Sequence, residues 1–159
     1  MGTDDRARAF VPGDFAVPRE LVTEEFRLEP LGPQHNAGDD EAWTSSIDHI
    51  RATPGFGGGP WPDAGLTLEE NLADLRRHAE DFAQRAGFTY TVLAGGSDRI
   101  IGCVYIYPSD RADGAADVRS WVRADRADLD VAVHDAVSAW LSNAWPFIAV
   151  SYAPRTNNR

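Results

Sequence analysis

Apolar and polar side chains alternate from Phe26 to Leu31, the period of a half-buried strand, and Pro30 marks its end or an edge position. The period then changes. Asp39 and Asp40 can cap a helix in which Trp43, Ile47 and Ile50 recur at i, i+4 and i+7, and Pro54-Gly55 ends it. The run Gly57-Gly58-Gly59-Pro60-Trp61-Pro62 cannot be regular structure. It reads as a surface loop, because the Lys-Ser/Thr pair of a phosphate-binding P-loop does not follow it. Thr67 and Glu70 have capping-box spacing. They predict a helix reaching about Ala86, with Leu68, Leu72, Leu75, Ala79, Phe82 and Ala86 as its apolar stripe and Gly87 as its left-handed cap.

Two strands are expected next, Phe88–Ala94 and Arg99–Tyr107, joined through Gly95-Gly96-Ser97-Asp98, which is hairpin chemistry. In the second strand both faces are apolar, with Ile101, Cys103, Tyr105 and Tyr107 on one and Ile100, Val104 and Ile106 on the other. Such a strand belongs in the middle of a sheet covered on both sides by helices. After a loop at Ser109–Ala115 come a strand at Asp117–Arg123 and a helix lined by Leu129, Val133, Ala136, Val137, Trp140 and Leu141. A short strand at Phe147–Tyr152 closes the series, and strand–helix–strand predicts a parallel crossover. No internal repeat interrupts this order.

Residues 1–25 carry Pro12, Gly13 and Pro18 without a sustained period and read as an irregular N-terminal arm, packed through Phe10 and Phe15; residues 26–159 form one domain. The fold class is α/β of the α+β type, a mixed, mainly antiparallel twisted sheet with helices on both faces. At 159 residues and 43% apolar content the chain can bury a core without disulfides, and the single Cys103 allows no internal one. The formal charge is −10 and every basic side chain is Arg. That balance argues against nucleic acid as the partner. No signal-like h-region or membrane span is present, so a cytoplasmic location is expected.

This order of elements resembles the GNAT (general N-acetyltransferase) family over roughly Phe26 to Tyr152. The likeness is carried by Phe26-Arg27-Leu28-Glu29-Pro30-Leu31, by Ile100-Ile101-Gly102-Cys103-Val104-Tyr105-Ile106, and by Trp121-Val122-Arg123-Ala124-Asp125-Arg126 running into a helix. The resemblance implies transfer of an acetyl group from acetyl-CoA to a small amine. It implies that acyl-CoA lies where the fourth and fifth strands part, with Trp121, Val122, Arg123, Arg126, Ala127 and Asp128 at the acyl-CoA site and amides near Val122 polarising the thioester. The helix start would take the pyrophosphate on unpaired amides. Here that stretch, Arg126-Ala127-Asp128-Leu129-Asp130-Val131-Ala132, has no glycine and brings two carboxylates. A domain that has lost CoA binding and serves as a small-ligand binding or interaction module is the alternative. Family members continue into a further helix and two strands. Their absence after Tyr152 predicts an exposed last strand and a homodimer with Trp140, Trp145 or Phe147 near the contact.

Among candidate side chains, His49 is of a residue type suited to general-base work and borders the acceptor pocket that the resemblance implies; it serves equally as a helix-end residue. His78 is expected at the surface or boundary and His134 exposed. The four histidines, His35, His49, His78 and His134, share no metal-ligand spacing, so no metal is expected. Cys103 reads as an inert buried thiol. Tyr105, the second catalytic candidate, and Tyr107 share its face and either point into a cavity or pack with their hydroxyls at the sheet rim. Arg119, Trp121 and Arg123 share one strand face, which suits either a cleft for an anionic or planar ligand or a solvent-facing edge.

Overall fold

The computed structural model describes residues 9–155; residues 1–8 of the expected arm and residues 156–159 lie outside the described residues. Six strands form one sheet: β1 Leu21–Val22, β2 Phe26–Pro30, β3 Phe88–Ala94, β4 Ile100–Pro108, β5 Ala115–Val122 and β6 Ala149–Tyr152. Their order in the sheet is their order in the chain. Every pairing is antiparallel except β5 with β6, which is parallel. The helices are α1 Asn36–Thr44, α2 Ile47–Ala52, α3 Leu68–Ala83 and α4 Asp130–Ala144. The mixed, mainly antiparallel sheet with helices on both faces is therefore as the pattern predicts. None of these helices is long and apolar enough to cross a membrane.

Leu129, just before α4, and Val133, Val137, Trp140 and Leu141 of α4 cover one face, against Leu28, Tyr90, Val104 and Val118, and the N-terminal Phe10 and Val11 join that core. On the other face Trp43, Ile50 and Leu75 pack with Cys103 and Trp121. Pro30 is tolerated because β1 reaches only as far as Leu28 along β2, leaving the Pro30 side open to the missing N–H.

Several local expectations change. The single helix predicted to run from the Asp39-Asp40 cap to Pro54 is broken at Ser45-Ser46. There the Ser45 hydroxyl donates to the Ala42 carbonyl, and the Ser46 oxygen accepts from the Ala124 amide at 2.8 Å. Short hydroxyl side chains that satisfy backbone groups compete with the helix ladder. Asp39 does not cap; α1 starts at Asn36, and Asp39 is buried. In β4 the alternation fails at its first residues. Val92 pairs with Gly102 but Leu93 with Ile100, so Ile101 is an extra, bulged residue. Ile101 therefore joins the α4 core and Ile100 the opposite one, the reverse of a simple alternation. The left-handed residue after α3 is Arg85 at φ 62°, not Gly87. Gly87 is needed instead because a Cβ there would lie 2.1 Å from the Tyr107 ring. Trp140 and Trp145, expected near a dimer contact, are core residues 9% and 7% exposed. His134 is half-buried, its ring 4.2 Å from that of Tyr152.

The expected capping box is present: Thr67 Oγ1 accepts from the Glu70 amide at 3.0 Å, and Glu70 accepts from the Thr67 amide at 2.8 Å. The α3 stripe is more polar than its apolar spacing suggests, because Leu68 is exposed while Asn71 and His78 are buried. Asn71 ties α3 to α1. Its Oδ1 accepts from Trp43 Nε1 at 3.1 Å, and its Nδ2 donates to Asn36 at 2.8 Å and Asp39 at 3.1 Å. Burial pushes the Asp39 carboxyl from 3.8 up to about 6.

Two stability predictions follow from this packing. A Cβ on Gly102 would lie 2.3 Å from the Trp121 carbonyl oxygen, so Gly102→Ala should lower the denaturant midpoint by the equivalent of about 1–3 kcal/mol. Asp39 has a folded pKa above its unfolded one. The folded state therefore gains most from it below pH 3.8, loses that gain as pH rises to about 6, and gains nothing further above. The ionised carboxylate then costs about 3 kcal/mol. Asp39→Asn, which keeps an oxygen for Asn71, should raise the urea midpoint at about pH 8 and leave it little changed at about pH 4.

Candidate functional site

The antiparallel β4–β5 register sets Tyr105 opposite Arg119, Tyr107 opposite Asp117 and Cys103 opposite Trp121. These odd-numbered residues share the sheet face away from α4. Cys103 and Trp121 are completely buried, and burial raises the Cys103 thiol well above its usual range, which fits an inert thiol. Trp121 Nε1 donates to the Tyr105 hydroxyl at 2.9 Å. The Tyr105 hydroxyl is likewise pushed far up by burial and stays protonated.

Tyr105, Tyr107 and Arg119 line two adjoining cavities that make one groove. The inner cavity, about 340 Å³, is walled by Phe56 and Trp61 from the loop after α2 and by Asp74, Arg77 and His78 of α3. The outer cavity, about 610 Å³, opens past Asp117 towards Ser151, Tyr152 and Pro154. The aromatic wall is continuous: Trp61 stands 5.6 Å from Trp43, 6.0 Å from Trp121 and 6.1 Å from Phe56 between ring centres.

His78 is buried on this wall, not at the surface. Its Nδ1 is 2.9 Å from the hydroxyls of both Tyr107 and Thr89, and its Nε2 is 3.6 Å from Asp74 Oδ2. The Tyr107 hydroxyl in turn donates to Asp81 at 2.8 Å, and burial raises its pKa to about 12. The neighbouring His78 ring, then Arg77, holds Asp74 down to about 2. Arg77 Nη2 lies 3.5 Å from the same Nε2, and an imidazole held by hydroxyls at Nδ1 on a cavity wall can accept or pass a proton. Nothing in the apolar spacing marks His78 out. The usable signal is that it lies three residues after Leu75 on the helix face that packs inward. Phe56 and Trp61, which bracket the glycine run, also line the inner cavity, and the irregular loop pattern carries no signal of it. His49 lines neither cavity, and its Nε2 is buried without a hydrogen-bond partner among the described residues. Tyr105 and His49 are therefore not brought together in the groove.

The residues that the resemblance assigns to acyl-CoA sit at the far end of β5. The β5–β6 ladder runs from Ala115–Ala149 to Val118–Tyr152, so residues 119–122 have no β6 partner. Arg155, its side chain 3% exposed, fills the gap. Its Nη2 donates to the Ser120 carbonyl at 2.7 Å and its Nε to Asp130 at 2.7 Å. Tyr152 meets Ser120 side chain to side chain at 2.6 Å. Trp121 and Val122 are core residues. The Arg123 guanidinium is forked onto Glu41 and donates to Asp125 at 3.1 Å. A 3-10 segment, Ala124–Leu129, kinked at Arg126 (φ −126°, ψ 33°), precedes α4 and contains Arg126, Ala127 and Asp128. Asp128 is exposed, 3.5 Å from Arg126. Asp130, expected to face a phosphate, is instead paired with Arg155. Among the described residues no group of three His, Cys, Asp or Glu side chains could hold a metal ion.

No family model and no curated protein matches the sequence. Solved structures do match. A ribosomal-protein-S5-alanine acetyltransferase from Vibrio fischeri superimposes with a TM-score of 0.62 at 15% identity, over 79% of this chain and 68% of that one. RimL, a ribosomal L7/L12 alpha-N-protein acetyltransferase, gives 0.60 at 10% identity, over 77% of this chain and 63% of its own. The microcin C7 self immunity acetyltransferase MccE, solved in complex with acetyl-CoA and AMP, gives 0.61 at 15% identity, over 81% of this chain and 71% of its own. This chain thus spans about two thirds of their length. With the sheet order, the parallel last pair and the parting of β5 from β6, these superpositions establish that the chain has the fold of the GNAT acetyltransferases.

Proposed function

We propose that the domain transfers an acyl group, acetyl in the first instance, from acyl-CoA to an amine-bearing small molecule held in the aromatic groove. The observation that carries this reading is the parting of β5 from β6 beyond Val118–Tyr152, directly beside that groove. Acetyl-CoA would be a co-substrate, as it is a bound partner of MccE. The Ser120 carbonyl, freed when Arg155 swings out, is the backbone group at the cleft, and Arg126 is the cation nearest the start of α4 that lacks a buried partner. In this mechanism the amine nitrogen forms a bond to the thioester carbonyl carbon, the carbon–sulfur bond breaks, and the amine proton passes to His78. Tyr105, which keeps its proton, can donate a hydrogen bond to the departing sulfur, which leaves as the CoA thiolate. His78 takes the place of His49 as the base because it lines the groove.

A second reading, a GNAT-fold domain that binds a small ligand without CoA, is favoured by how fully the expected CoA groups are engaged. Arg155 occupies the Ser120 carbonyl, Glu41 occupies Arg123, and Ser46 occupies the Ala124 amide. We also propose a cytoplasmic location. A homodimer is proposed through the β6 edge, where Ile148 is 73% and Val150 40% exposed, in place of the buried tryptophans.

Calorimetry with acetyl-CoA tests the first reading. The wild type should bind, and Arg155→Ala should bind more tightly, by about three- to tenfold, because a hydrogen bond worth about 1 kcal/mol no longer competes for the Ser120 carbonyl. Absence of binding by both proteins selects the second reading. His78→Gln should lower kcat for acetyl transfer about a hundredfold or more while leaving acetyl-CoA affinity unchanged. Light scattering at micromolar concentration should report a dimer for the wild type and a monomer for a variant carrying Ile148→Lys and Val150→Lys.

A further inference from the structure

The groove contains one cation whose setting the acyl-transfer reading does not use. Arg119 projects from β5 into the line where the two cavities meet. Its stem packs against Gly55, where a Cβ would lie 3.4 Å from Arg119 Cγ. Gly55 has φ +99°, so the backbone calls for glycine there. The guanidinium carbon stands 4.9 Å from the centre of the Phe56 ring and 5.6 Å from that of Tyr105. A cation–π contact engages the charge and not the N–H donors, so these remain available for a ligand. Arg119 makes no hydrogen bond or ion pair with any described residue, whereas Arg123, Arg155 and Arg77 are each committed to carboxylates.

The local charge points the same way. Beside the inner cavity Arg77 is shared between Asp74 and Asp81 of its own helix, whereas Arg119 has no acidic partner among the described residues, in a chain whose formal charge is −10. Asp117, the nearest acid on the same strand face, lies one pleat away, about 6.6 Å along the strand, and opens on the outer cavity. The opposing walls of Trp61, Phe56 and Tyr105 suit a flat apolar body.

We propose that the acceptor bound in this groove carries a carboxylate on a flat apolar body, with Arg119 holding the carboxylate through two parallel N–H donors. As an acceptor assignment it rests on the acyl-transfer reading; carboxylate recognition by Arg119 stands without it.

The test uses three probes of one shape in ligand-observed NMR and calorimetry: indole-3-acetate, neutral indole and cationic tryptamine. Charge-assisted bidentate bonding should make indole-3-acetate bind roughly tenfold or more tightly than indole. Arg119→Met, which keeps an unbranched stem over Phe56, should remove that preference while indole binding stays within about threefold. Arg119→Lys should keep only part of it. Equal binding of the acetate and indole, tighter binding of tryptamine, a preference that survives in Arg119→Met, or no binding of indole-3-acetate at millimolar concentration would each overturn the proposal. Acetyl-CoA titrated into the same samples separates the two readings. Carboxylate preference without acetyl-CoA binding keeps this inference and removes acyl transfer; acetyl-CoA binding without the preference does the opposite.

Discussion

Parallel strands hold together only where the carbonyls and amides of one find those of the other, and in this protein the β5–β6 ladder stops after Val118–Tyr152. The chain then leaves the sheet through Ala153 and Pro154, and Pro154 has no N–H with which to continue a ladder. A carbonyl stranded inside a protein costs free energy unless something donates to it. Arg155 supplies the donor, and Asp130 at the start of α4 neutralises the cation that does so. One side chain therefore satisfies β5, anchors the chain after β6 and complements the first turn of α4. The cleft and its closure arise from the same short strand.

The same β5 strand organises the groove. Trp121 has no exposed surface, yet its indole N–H reaches the Tyr105 hydroxyl, which fixes the floor of the cavity from below. Two residues earlier Arg119 emerges into the groove, and two residues later Arg123 disappears into its fork with Glu41. An alternation of period two thus distributes three adjacent same-face residues among groove wall, core and helix docking. The α1–α3 network of Trp43, Asn71 and Asp39 holds the far wall in register with that floor.

Much of this architecture is legible in the sequence. The hairpin glycines, the capping box at Thr67–Glu70 and the two-faced apolar character of β4 carry strong local signals, and each corresponds to an observed feature. What the pattern hides are the places where one residue changes its neighbours' geometry. Ile101 inserts a bulge that no apolar count reveals, because isoleucine is at home on either face. Ser45 and Ser46 end a helix through hydroxyl bonds, one local to Ala42 and the other to Ala124, which is distant in sequence. The site was the least legible part. Arg119 was visible as one residue of a strand face, but His78, Asp74, Phe56 and Trp61 come together only when α3 and the glycine-rich loop fold over β4. Polar residues on a buried helix face look like surface residues until their partners are known.

The coincidence of sheet order and chain order has a further consequence, for folding kinetics. Strands β3, β4 and β5 are joined by short connections, so their pairing closes small loops and asks little loop-closure entropy. The pairing of β2 with β3 must instead enclose everything from Leu31 to Gly87, including three helices. The β3–β5 meander is thus the natural folding nucleus, on which β2 and α1–α3 condense afterwards. The groove straddles that divide. Its floor belongs to the early meander and its aromatic wall to the late-docking excursion, so partial unfolding that releases the excursion would dismantle the groove while leaving most of the sheet standing.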